Sequence, residues 1–458
     1  MNSNPLLWEQ GLFLQPQHFQ LEHLQLSQLQ HQLCTLITPW LWGIRTLDIN
    51  EAALGSGIFE ISRLEALFPD GASVRFPGNA TLEPRAFRDA WSNPEQTLTV
   101  SLGLAPMRSA GGNLRKTDSP GNAPAECRYT APLSPDRVPD MYGDGPAADI
   151  STMRFNLRLV FEGEQAEGLM LIPVARLRLN GERVVQDASF APPCLNLHAS
   201  DLLLRLTRTV RDSLLSRCRQ LEDYKLVAGE AGSFFGASDL QGITLFCILG
   251  VLSRNAPQIV QYLECPQVHP WTIYLQLCRI AGELSVFSSG LSPLGENVRG
   301  TRLIPPYDHE NLAACFTAVQ EIILRLVDTL VVGPAYTFML EQRDGAYSTV
   351  LSQEACGSYA YWLLLRSPSP EALARQARFA RLVPTEELHA IVAQALPGVR
   401  LVRAEQAPAG LPRRGDTLYY NIDTGDPLWE KILRGRGLSL VLPAGIPDVT
   451  VQLAVVQR

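Results

Sequence analysis

The spacing of apolar residues changes along the chain, and each change marks a different kind of predicted secondary structure. Leucines at positions 21, 24, 29 and 33 recur near a helical repeat. This spacing predicts a helix from about Pro16 to Thr35. Because the helix precedes the first strand pattern, it forms a separate N-terminal segment.

A second region alternates apolar and polar residues with a period of two, which is typical of strands. Strands are predicted at 58–64, 73–76, 97–104, 153–161 and 169–179. The last two are predicted to pair with each other across the short turn at 162–167. Together these patterns indicate an antiparallel sheet or sandwich with one face in solvent.

Residues 103–149 interrupt this region with 6 Gly and 7 Pro in 47 residues. This composition predicts a long surface excursion that contributes nothing to a core. A disordered spacer and a loop that contacts a partner are both open readings of it. The stretch 143–148 matches GxGxxA, but no strand pattern leads into it, so we interpret it as loop rather than as a dinucleotide site.

From Ser200 the apolar positions step by three or four, which predicts helices. Four helices are predicted at 200–221, 239–255, 270–288 and 309–332. Of the last three, the second, at 270–288, is apolar nearly all round and is predicted to be the most buried. Four helices in one stretch favour a bundle, which Gly333-Pro334 ends.

The remainder of the chain mixes short strand and helix patterns. Strands are predicted at 336–340, 347–351, 359–365, 399–403, 418–422, 438–442 and 449–455, and helices at 370–382 and 386–396. The predicted fold class is therefore α+β and multidomain: an N-terminal antiparallel β-sandwich shell (1–192), a central four-helix bundle (193–333) and a C-terminal mixed α/β head (334–458). Three domains also suit 458 residues at about 150 residues per domain.

Composition and charge narrow the classes of function. Lys and Arg total 39 and Asp and Glu total 46, so the net charge is −7. A mildly acidic chain lacks the basic stripe of a nucleic-acid binder, and we expect no nucleic-acid partner. No Lys or Arg precedes Arg45, and the longest apolar run, 243–252, is too short to cross a bilayer. We therefore expect a cytoplasmic protein without a membrane span, and nine reduced, buried cysteines.

Candidate catalytic groups are sparse. The chain contains no GxxxxGK[ST], GxSxG or HExxH motif, so no catalytic residue and no cofactor is predicted. His18 and Glu22 lie one helical turn apart, but His23 points elsewhere, so a structural role is favoured for His18. Asp308 beside His309 resembles an acid–base pair, yet Asp308 is better explained as the N-cap of a helix that begins at His309.

Large aromatic residues are concentrated before the first strand. They are Trp8, Phe13, Phe19, Trp40 and Trp42. Aromatic side chains dominate both partner interfaces and protein cores. The sequence leaves these two alternatives open for this set.

Four ordered blocks of residues resemble one known family. Residues 8–20 read WEQGLFLQPQHFQ, which resembles the W-x-x-G-x-F-L-x-P-Q-H-F-Q opening of TssK, the baseplate subunit of type VI secretion systems. Residues 190–195 (FAPPCL) and 306–312 (PYDHENL) resemble the family's F-x-P-P-x-L and Y-x-H motifs. The C-terminal blocks ALPG, YY and LW, which begin at 395, 419 and 428, follow in the family's order. Thr385 and the segment 407–412 depart from the family pattern.

The resemblance implies a non-enzymatic adaptor that is assembled as a homotrimer and similar to phage receptor-binding proteins. Its N-terminal side would join the TssF/TssG baseplate wedge, with Trp8, Phe13, Pro16, His18 and Phe19 organising that end. Its C-terminal head would reach the cytoplasmic part of the TssJ–TssL–TssM membrane complex, in particular TssL and TssM. Such an adaptor is cytoplasmic and associated with the inner-membrane complex.

Two alternatives belong to other classes of function. One is a phage-tail-like receptor-binding protein, which a carbohydrate-binding head would favour. The other is a cytosolic metal-dependent enzyme centred on His18/Glu22 or on Asp308/His309, which a stoichiometric metal ion in the purified protein would favour.

Overall fold

A computed structural model describes most of the chain. The described residues are 4–91, 96–109, 111–119, 121, 123–181, 183–221, 240–330, 336–343, 345–405, 408, 411, 416–443 and 448–457. The chain divides into two compact units. The first contains Met1–Ser213 and Asn255–Leu326, and the second contains Leu214–Arg254 and Val327–Arg458.

The first unit begins with helix α1 (Pro16–Ile37), which confirms the predicted N-terminal helix. Short strands and one short helix, α2 (Glu51–Gly55), follow it. The strands are β1 (Gly43–Ile49), β2 (Ile58–Phe59), β3 (Ile61–Leu67), β4 (Ser73–Phe76), β5 (Ala80–Thr81), β6 (Arg85–Ala86), β7 (Leu98–Leu104), β8 (Leu114–Lys116), β9 (Tyr129–Ala131), β10 (Asp136–Val138), β11 (Ala148–Ile150), β12 (Arg154–Asn156), β13 (Arg158–Phe161), β14 (Met170–Asn180) and β15 (Arg183–Gln186).

These strands form several small sheets. Their orders are β1-β3-β4, β13-β7-β14-β15 and β5-β12-β9-β8, with the two-stranded pairs β2-β6 and β10-β11. The predicted pairing of 153–161 with 169–179 is wrong, because β7 lies between β13 and β14 and pairs with both. Most of β7 is buried, so it lies inside the sheet, whereas a β13–β14 hairpin would leave it at an edge.

The segment 103–149 is not a wholly exposed excursion, which corrects the sequence expectation. Ala105, Ala123 and Thr130 are buried, and so is Arg128. The Arg128 guanidinium donates from Nη1 to the carbonyl of Ala105 and pairs through Nη2 with Asp70 Oδ2 at 2.8 Å. Glycine and proline therefore form turns between short strands here, and part of the segment packs against the sheet.

Four long helices follow: α3 (Asp201–Gln220), α4 (Leu240–Glu264), α5 (Pro270–Ser285) and α6 (Leu312–Thr329). The expected end of α4 near Asn255 is wrong, because the helix continues through Pro257. Asn255 is buried, and its Nδ2 donates to Glu283 Oε2 while its Oδ1 accepts from Gln276 Nε2, each at 2.7 Å. These bonds satisfy the amide inside the helix, so it does not act as a stop.

The expectation that the helix at 270–288 is the most buried is confirmed. More than half of the residues of α5 are buried, including Ile273, Leu277 and Ile280. By contrast, Ile243 and Phe246 of α4 are exposed, although they belong to the longest apolar run of the sequence. A helix that is apolar nearly all round is expected to be buried in this way.

Because α4 is longer than its apolar run, its segment Ile243–Glu264 has the length and mean hydropathy of a membrane-spanning helix. The share of this segment's most apolar window that is buried within the chain is 44%. Buried core helices of soluble proteins meet the same criteria, so this helix alone is weak support for a membrane span.

The second unit contains one large antiparallel sheet. Its elements are β16 (Tyr336–Arg343), β17 (Ala346–Val350), β18 (Tyr359–Arg366), α7 (Pro370–Gln376), β19 (Arg381–Pro384), α8 (Leu388–Ala393), β20 (Leu401–Ala404), β21 (Thr417–Ile422), α9 (Pro427–Gly435), β22 (Gly437–Val441) and β23 (Thr450–Gln457). The sheet order is β19-β22-β17-β16-β23-β18-β21-β20. A single bridge between Leu382 and Val399 connects the two edges, so the sheet nearly closes into a barrel. The predicted helix at 370–382 is shorter in the structure. It ends at Gln376, and the last two predicted residues, Arg381 and Leu382, belong to β19.

The core of this unit is aromatic and aliphatic. Trp429 of α9 is fully buried and meets the ring of Tyr361 edge to face at 4.8 Å. The Tyr361 hydroxyl donates to the carbonyl of Ala355. The chain thus has a mixed α and β fold, as the sequence predicts. Of the nine cysteines, all of which are free, Cys34, Cys247 and Cys265 are exposed, so the expectation of uniformly buried thiols is wrong.

Candidate protein-interaction site

The N-terminal arm, defined as residues 4–37, exposes an unusual amount of apolar surface. No residue of α1 is buried. The exposed large apolar residues of the arm are Leu7, Trp8, Leu12, Phe13, Leu14, Phe19, Leu21, Leu26, Leu29, Leu33, Leu36 and Ile37. Contiguous exposed apolar surface of this extent marks a site that contacts another protein or a membrane.

The arm carries almost no charge. Glu9 and Glu22 are its only acidic residues, it contains no Lys or Arg, and glutamines occupy many of the positions between the leucines. Recognition by this surface therefore depends on apolar contact and shape, with uncharged hydrogen bonds around them. Ion pairs contribute little there.

The five residues predicted for the partner-binding end lie at the start of the arm. Trp8, Phe13 and Phe19 are 51%, 80% and 56% exposed. Pro16 occupies the first turn of α1, and His18 completes a capping box by accepting the backbone N–H of Gln15 on Nδ1 at 3.1 Å. This bond gives His18 a part in the local structure of the helix start.

Two of these five residues have side-chain rings that lie close together. The Trp8 and His18 rings lie 6.2 Å apart between centroids, so the coil before α1 folds back on its first turn. Phe13 and Phe19 point their apolar surface to solvent. Pro16 and His18 therefore fix the local backbone, and Trp8, Phe13 and Phe19 offer the contact surface. Their part in binding a baseplate partner stays a prediction.

The base of the arm is held by two histidines that lie far away in sequence. His269 Nε2 lies 3.2 Å from the carbonyl oxygen of Trp40, and His309 Nε2 lies 2.8 Å from that of Trp42. Because a carbonyl can only accept, both rings carry their proton on Nε2. The Nδ1 of His269 then accepts from the backbone N–H of Trp271 at 3.1 Å.

The second ring is bonded in the same way. The Tyr307 hydroxyl donates to His309 Nδ1 at 2.8 Å. The two imidazoles stack with centroids 5.5 Å apart and an interplanar angle of 13°. Both nitrogens of each ring are thus occupied, and each ring binds a backbone carbonyl of the chain that leads out of the arm.

Aromatic rings surround these hydrogen bonds. The ring centroid of Trp40 lies 4.8 Å from that of Trp271 and 4.9 Å from that of Tyr307. The ring centroids of Trp42 and His309 are also 4.9 Å apart. The five aromatic residues that the sequence could not assign to an interface or to a core therefore fall into two groups. Trp40 and Trp42 pack within the chain, whereas the aromatic residues of the arm are exposed.

Burial keeps both histidines neutral. The pKa of His309 is lowered from 6.5 to about 4, chiefly by desolvation; the hydrogen bond to the Trp42 carbonyl opposes this shift, and the neighbouring His269 adds to it. Desolvation also lowers the pKa of His269, against the Trp40 carbonyl. A neutral ring keeps Nδ1 free to accept a hydrogen bond, so protonation would break this arrangement.

A glycine completes the base of the arm. Gly43 has φ of 117°, and a Cβ there would lie 2.5 Å from the carbonyl oxygen of Pro193. This close approach lets Ile44 N–H donate to Pro193 O at 2.8 Å and Leu195 N–H donate to Ile44 O at 2.9 Å. The segment 190–195 therefore runs beside β1 and fixes its first residues.

We call this junction the arm anchor, and it consists of Trp40, Trp42, Gly43, Pro193, His269, Trp271, Tyr307 and His309. Three segments meet there, 40–43, 190–195 and 306–312, and the last two of them resemble family motifs. Sequence reasoning missed His269 and Trp271. The one signal for them was the His-Pro pair at 269–270, a helix-start pattern in which His269 caps α5.

The predicted role of Asp308 as a helix N-cap is wrong, because Asp308 lies several residues before the helix begins. Asp308 Oδ1 accepts from the backbone N–H of Glu310 at 3.0 Å, and α6 begins only at Leu312. Asp308 thus closes the turn before the helix. His309 bonds to Tyr307 and Trp42 and makes no hydrogen bond to Asp308. The arrangement is that of a structural joint, without the paired orientation of an acid–base couple.

Metal chemistry finds no support in the part of the chain that the structure describes. Within those residues, no three His, Cys, Asp or Glu side chains are grouped so that they could hold an ion. An exposed apolar arm fixed at its base by buried hydrogen bonds instead presents a surface for contact with another protein or with a membrane.

The comparisons with known proteins identify the family. Residues 18–456 match the sequence model of the family described as "Bacterial Type VI secretion, VC_A0110, EvfL, ImpJ, VasE", and the chain belongs to this family, which is the TssK family. It is similar to the "Type VI secretion system baseplate component TssK1" of Pseudomonas aeruginosa, with 25% identity over 98% of this chain and 97% of that protein.

Solved structures share the fold. A structure described as "Crystal structure of TssK" aligns over all of both chains with a TM-score of 0.60 and 22% identity. A chain of "The baseplate complex from the type VI secretion system" also aligns over all of both chains, with a TM-score of 0.63 and 22% identity. A chain of a TssK–TssF–TssG baseplate subcomplex aligns over 72% of this chain and 99% of that one, with a TM-score of 0.61 and 23% identity.

Proposed function

We propose that this chain is a non-enzymatic structural adaptor of the type VI secretion baseplate. In this proposal the N-terminal side binds the TssF/TssG wedge, and the C-terminal head binds the cytoplasmic part of the TssJ–TssL–TssM membrane complex through TssL and TssM. The observation that carries the proposal is the exposed apolar arm on its buried anchor. The adaptor acts in the cytoplasm, in association with the inner-membrane complex.

The wedge-binding end is assigned to the arm for two reasons. The similar chain in the TssK–TssF–TssG subcomplex comes from an assembly with those two proteins. In this chain, Trp8, Phe13 and Phe19 are the exposed aromatic residues of the arm. Aromatic side chains carry a large share of binding energy at interfaces, so these three are the proposed contacts.

The end proposed to bind the membrane complex, the head, lies in the second unit. In the proposed layout, residues 1–192 form the shell, 193–333 the bundle and 334–458 the head. The head exposes Val350 and Phe379, at 70% and 71%. A homotrimer would present three heads at once, so weak individual contacts gain from their effective concentration.

A double dissociation in full-length protein tests the adaptor proposal. The arm variant F13S/F19S should lose capture of TssF–TssG and retain capture of the cytoplasmic part of TssL. The head variant V350D/F379S should show the reverse pattern. A matched control is V298S, because Val298 is highly exposed and lies outside both surfaces.

The readout is co-purification with each partner at equal expression, together with urea unfolding to verify that each variant is folded. If F13S/F19S retains the wedge proteins, the arm is not the wedge-binding end. If both variants retain the membrane protein, the head does not bind it and the polarity of the adaptor is wrong.

A further inference from the structure

An open cleft of about 530 Å³ is lined by residues of β1, β3 and β4. Leu67 and Leu195 give it an apolar surface, and Arg45 and Arg75 give it a charged rim. A cleft of this volume accepts one large side chain with its neighbours.

The rim of the cleft carries an excess of positive charge. Glu65 is shared by three guanidinium groups, with distances of 3.8 Å to Arg45, 3.6 Å to Arg63 and 3.6 Å to Arg75. Asp48 lies opposite Arg63 in the strand register. Two arginines and one glutamate line the cleft itself, and Arg45 and Arg75 are more than half exposed. The cleft is therefore suited to an apolar group flanked by acidic side chains.

The chain itself carries such a group at the tip of the β10–β11 hairpin. Among the described strands, β10 and β11 pair only with each other. A two-stranded hairpin is marginally stable by itself in water. The turn between the strands holds Met141, which is 79% exposed, and Tyr142, which is fully exposed.

Two carboxylates flank the tyrosine in sequence. Asp140 fixes the turn, because its Oδ1 accepts from the backbone N–H groups of Tyr142 and Gly143 at 2.9 and 3.2 Å. Asp144 follows two residues after the tyrosine and is exposed. The hairpin tip thus presents the Tyr142 ring between two acidic residues in a defined turn. Because the ring is fully exposed, it does not pack against its own chain.

We propose that the hairpin tip of one copy of this chain inserts Tyr142 into the Arg45–Arg75 cleft of a second copy. The inference rests on the homotrimer of the proposed function and names one of its contacts. In this contact the ring packs on the apolar side chains of Leu67 and Leu195, and the Asp144 carboxylate meets the guanidinium groups at the rim. Tip and cleft are different surfaces, so the contact is head-to-tail and closes into a ring in a cyclic oligomer.

Charge complementarity selects a second copy as the occupant. The tip is acidic and the cleft is basic, and both belong to the first compact unit of every copy. The other candidate occupant of the cleft is a wedge protein, which would leave oligomerisation independent of the tip.

The test is a charge swap in full-length protein, with the oligomer measured by mass photometry and sedimentation over a dilution series. Y142S and D144R should each raise the concentration at which the oligomer dissociates by about tenfold, the effect of losing one hot-spot contact. R75E should weaken the oligomer alone and should restore it when combined with D144R. L133S and E167R are matched controls at exposed positions outside the tip, and neither should change dissociation.

The outcomes separate this inference from the proposed function. A stable wild-type oligomer that Y142S and D144R leave unchanged overturns the tip-to-cleft contact and leaves the adaptor proposal standing. A wild-type chain that is monomeric at every concentration overturns the homotrimer itself. Loss of TssF–TssG capture by Y142S with an unchanged oligomer shows that the tip binds the wedge, which also overturns the second copy as its partner.

Discussion

Acidification should weaken the arm anchor through His309, whose side chain is 2% exposed. The pKa of this residue is about 4 in the folded chain, against an ordinary value of 6.5. The unfolded chain therefore binds a proton at a pH where the folded chain does not. Since the folded pKa is the lower one, this stability is present above pH 6.5 and is lost as the pH falls toward 4.

The size of the effect follows from the shift. One pKa unit corresponds to about 1.4 kcal/mol, so the full shift corresponds to about 3 kcal/mol. At pH 5 the protonated fraction of the unfolded chain is already large, and about 2 kcal/mol of stability is lost through this one ring. Protonation places a hydrogen on Nδ1, where the Tyr307 hydroxyl now donates.

The assay is urea unfolding at pH 7.5 and at pH 5, with wild type compared with H309Q. Glutamine retains a donor for the Trp42 carbonyl and does not titrate. The loss of stability between the two pH values should be smaller in H309Q by about 2 kcal/mol. H23Q is the control, because His23 is exposed on α1 and should keep the wild-type pH dependence. An H309Q protein that loses as much stability as wild type on acidification would refute the assignment.

Two further substitutions test the packing on which the site depends. G43A places a Cβ 2.5 Å from the Pro193 carbonyl in a left-handed backbone conformation, so it should lower the free energy of unfolding by about 1–3 kcal/mol; urea unfolding measures this, and an unchanged midpoint would contradict the close approach. W429A empties the centre of the second unit, where Trp429 is fully buried, and should cost about 3–5 kcal/mol; differential scanning calorimetry measures this, with the exposed V402A as control, and equal melting temperatures would contradict the burial.

Local periodicity predicted the elements well, and long-range pairing poorly. The helix at 16–35 and the helix from Ser200 could be predicted because the helical repeat of apolar residues is visible within a few neighbouring positions. The partners of a strand are not visible in that way. β14 follows β13 along the chain but pairs with β7, because β7 is buried on both sides and needs two neighbours.

The candidate site shows the same limit. The exposed arm and its five predicted residues lie within one short segment, and the sequence identified that segment. The anchor depends on contacts across 229 residues, from His269 to Trp40, and across 267 residues, from His309 to Trp42. No spacing rule connects such positions. Their only local trace was the helix-start pattern at His269 and the tyrosine two residues before His309.

The position of β23 has a consequence for the order in which the second unit folds. β23 follows every other described strand of the sheet along the chain, yet it lies inside the sheet between β16 and β18. Until β23 pairs, the strand order leaves two groups, β19-β22-β17-β16 and β18-β21-β20, which among the described residues are joined otherwise only by the bridge between Leu382 and Val399. Joining the groups requires pairing as distant in sequence as Leu340 with Val451, and such non-local pairing is slow to form. Closure of this sheet is therefore a late step in folding, and substitutions that weaken β23 should slow that step and leave the N-terminal arm intact.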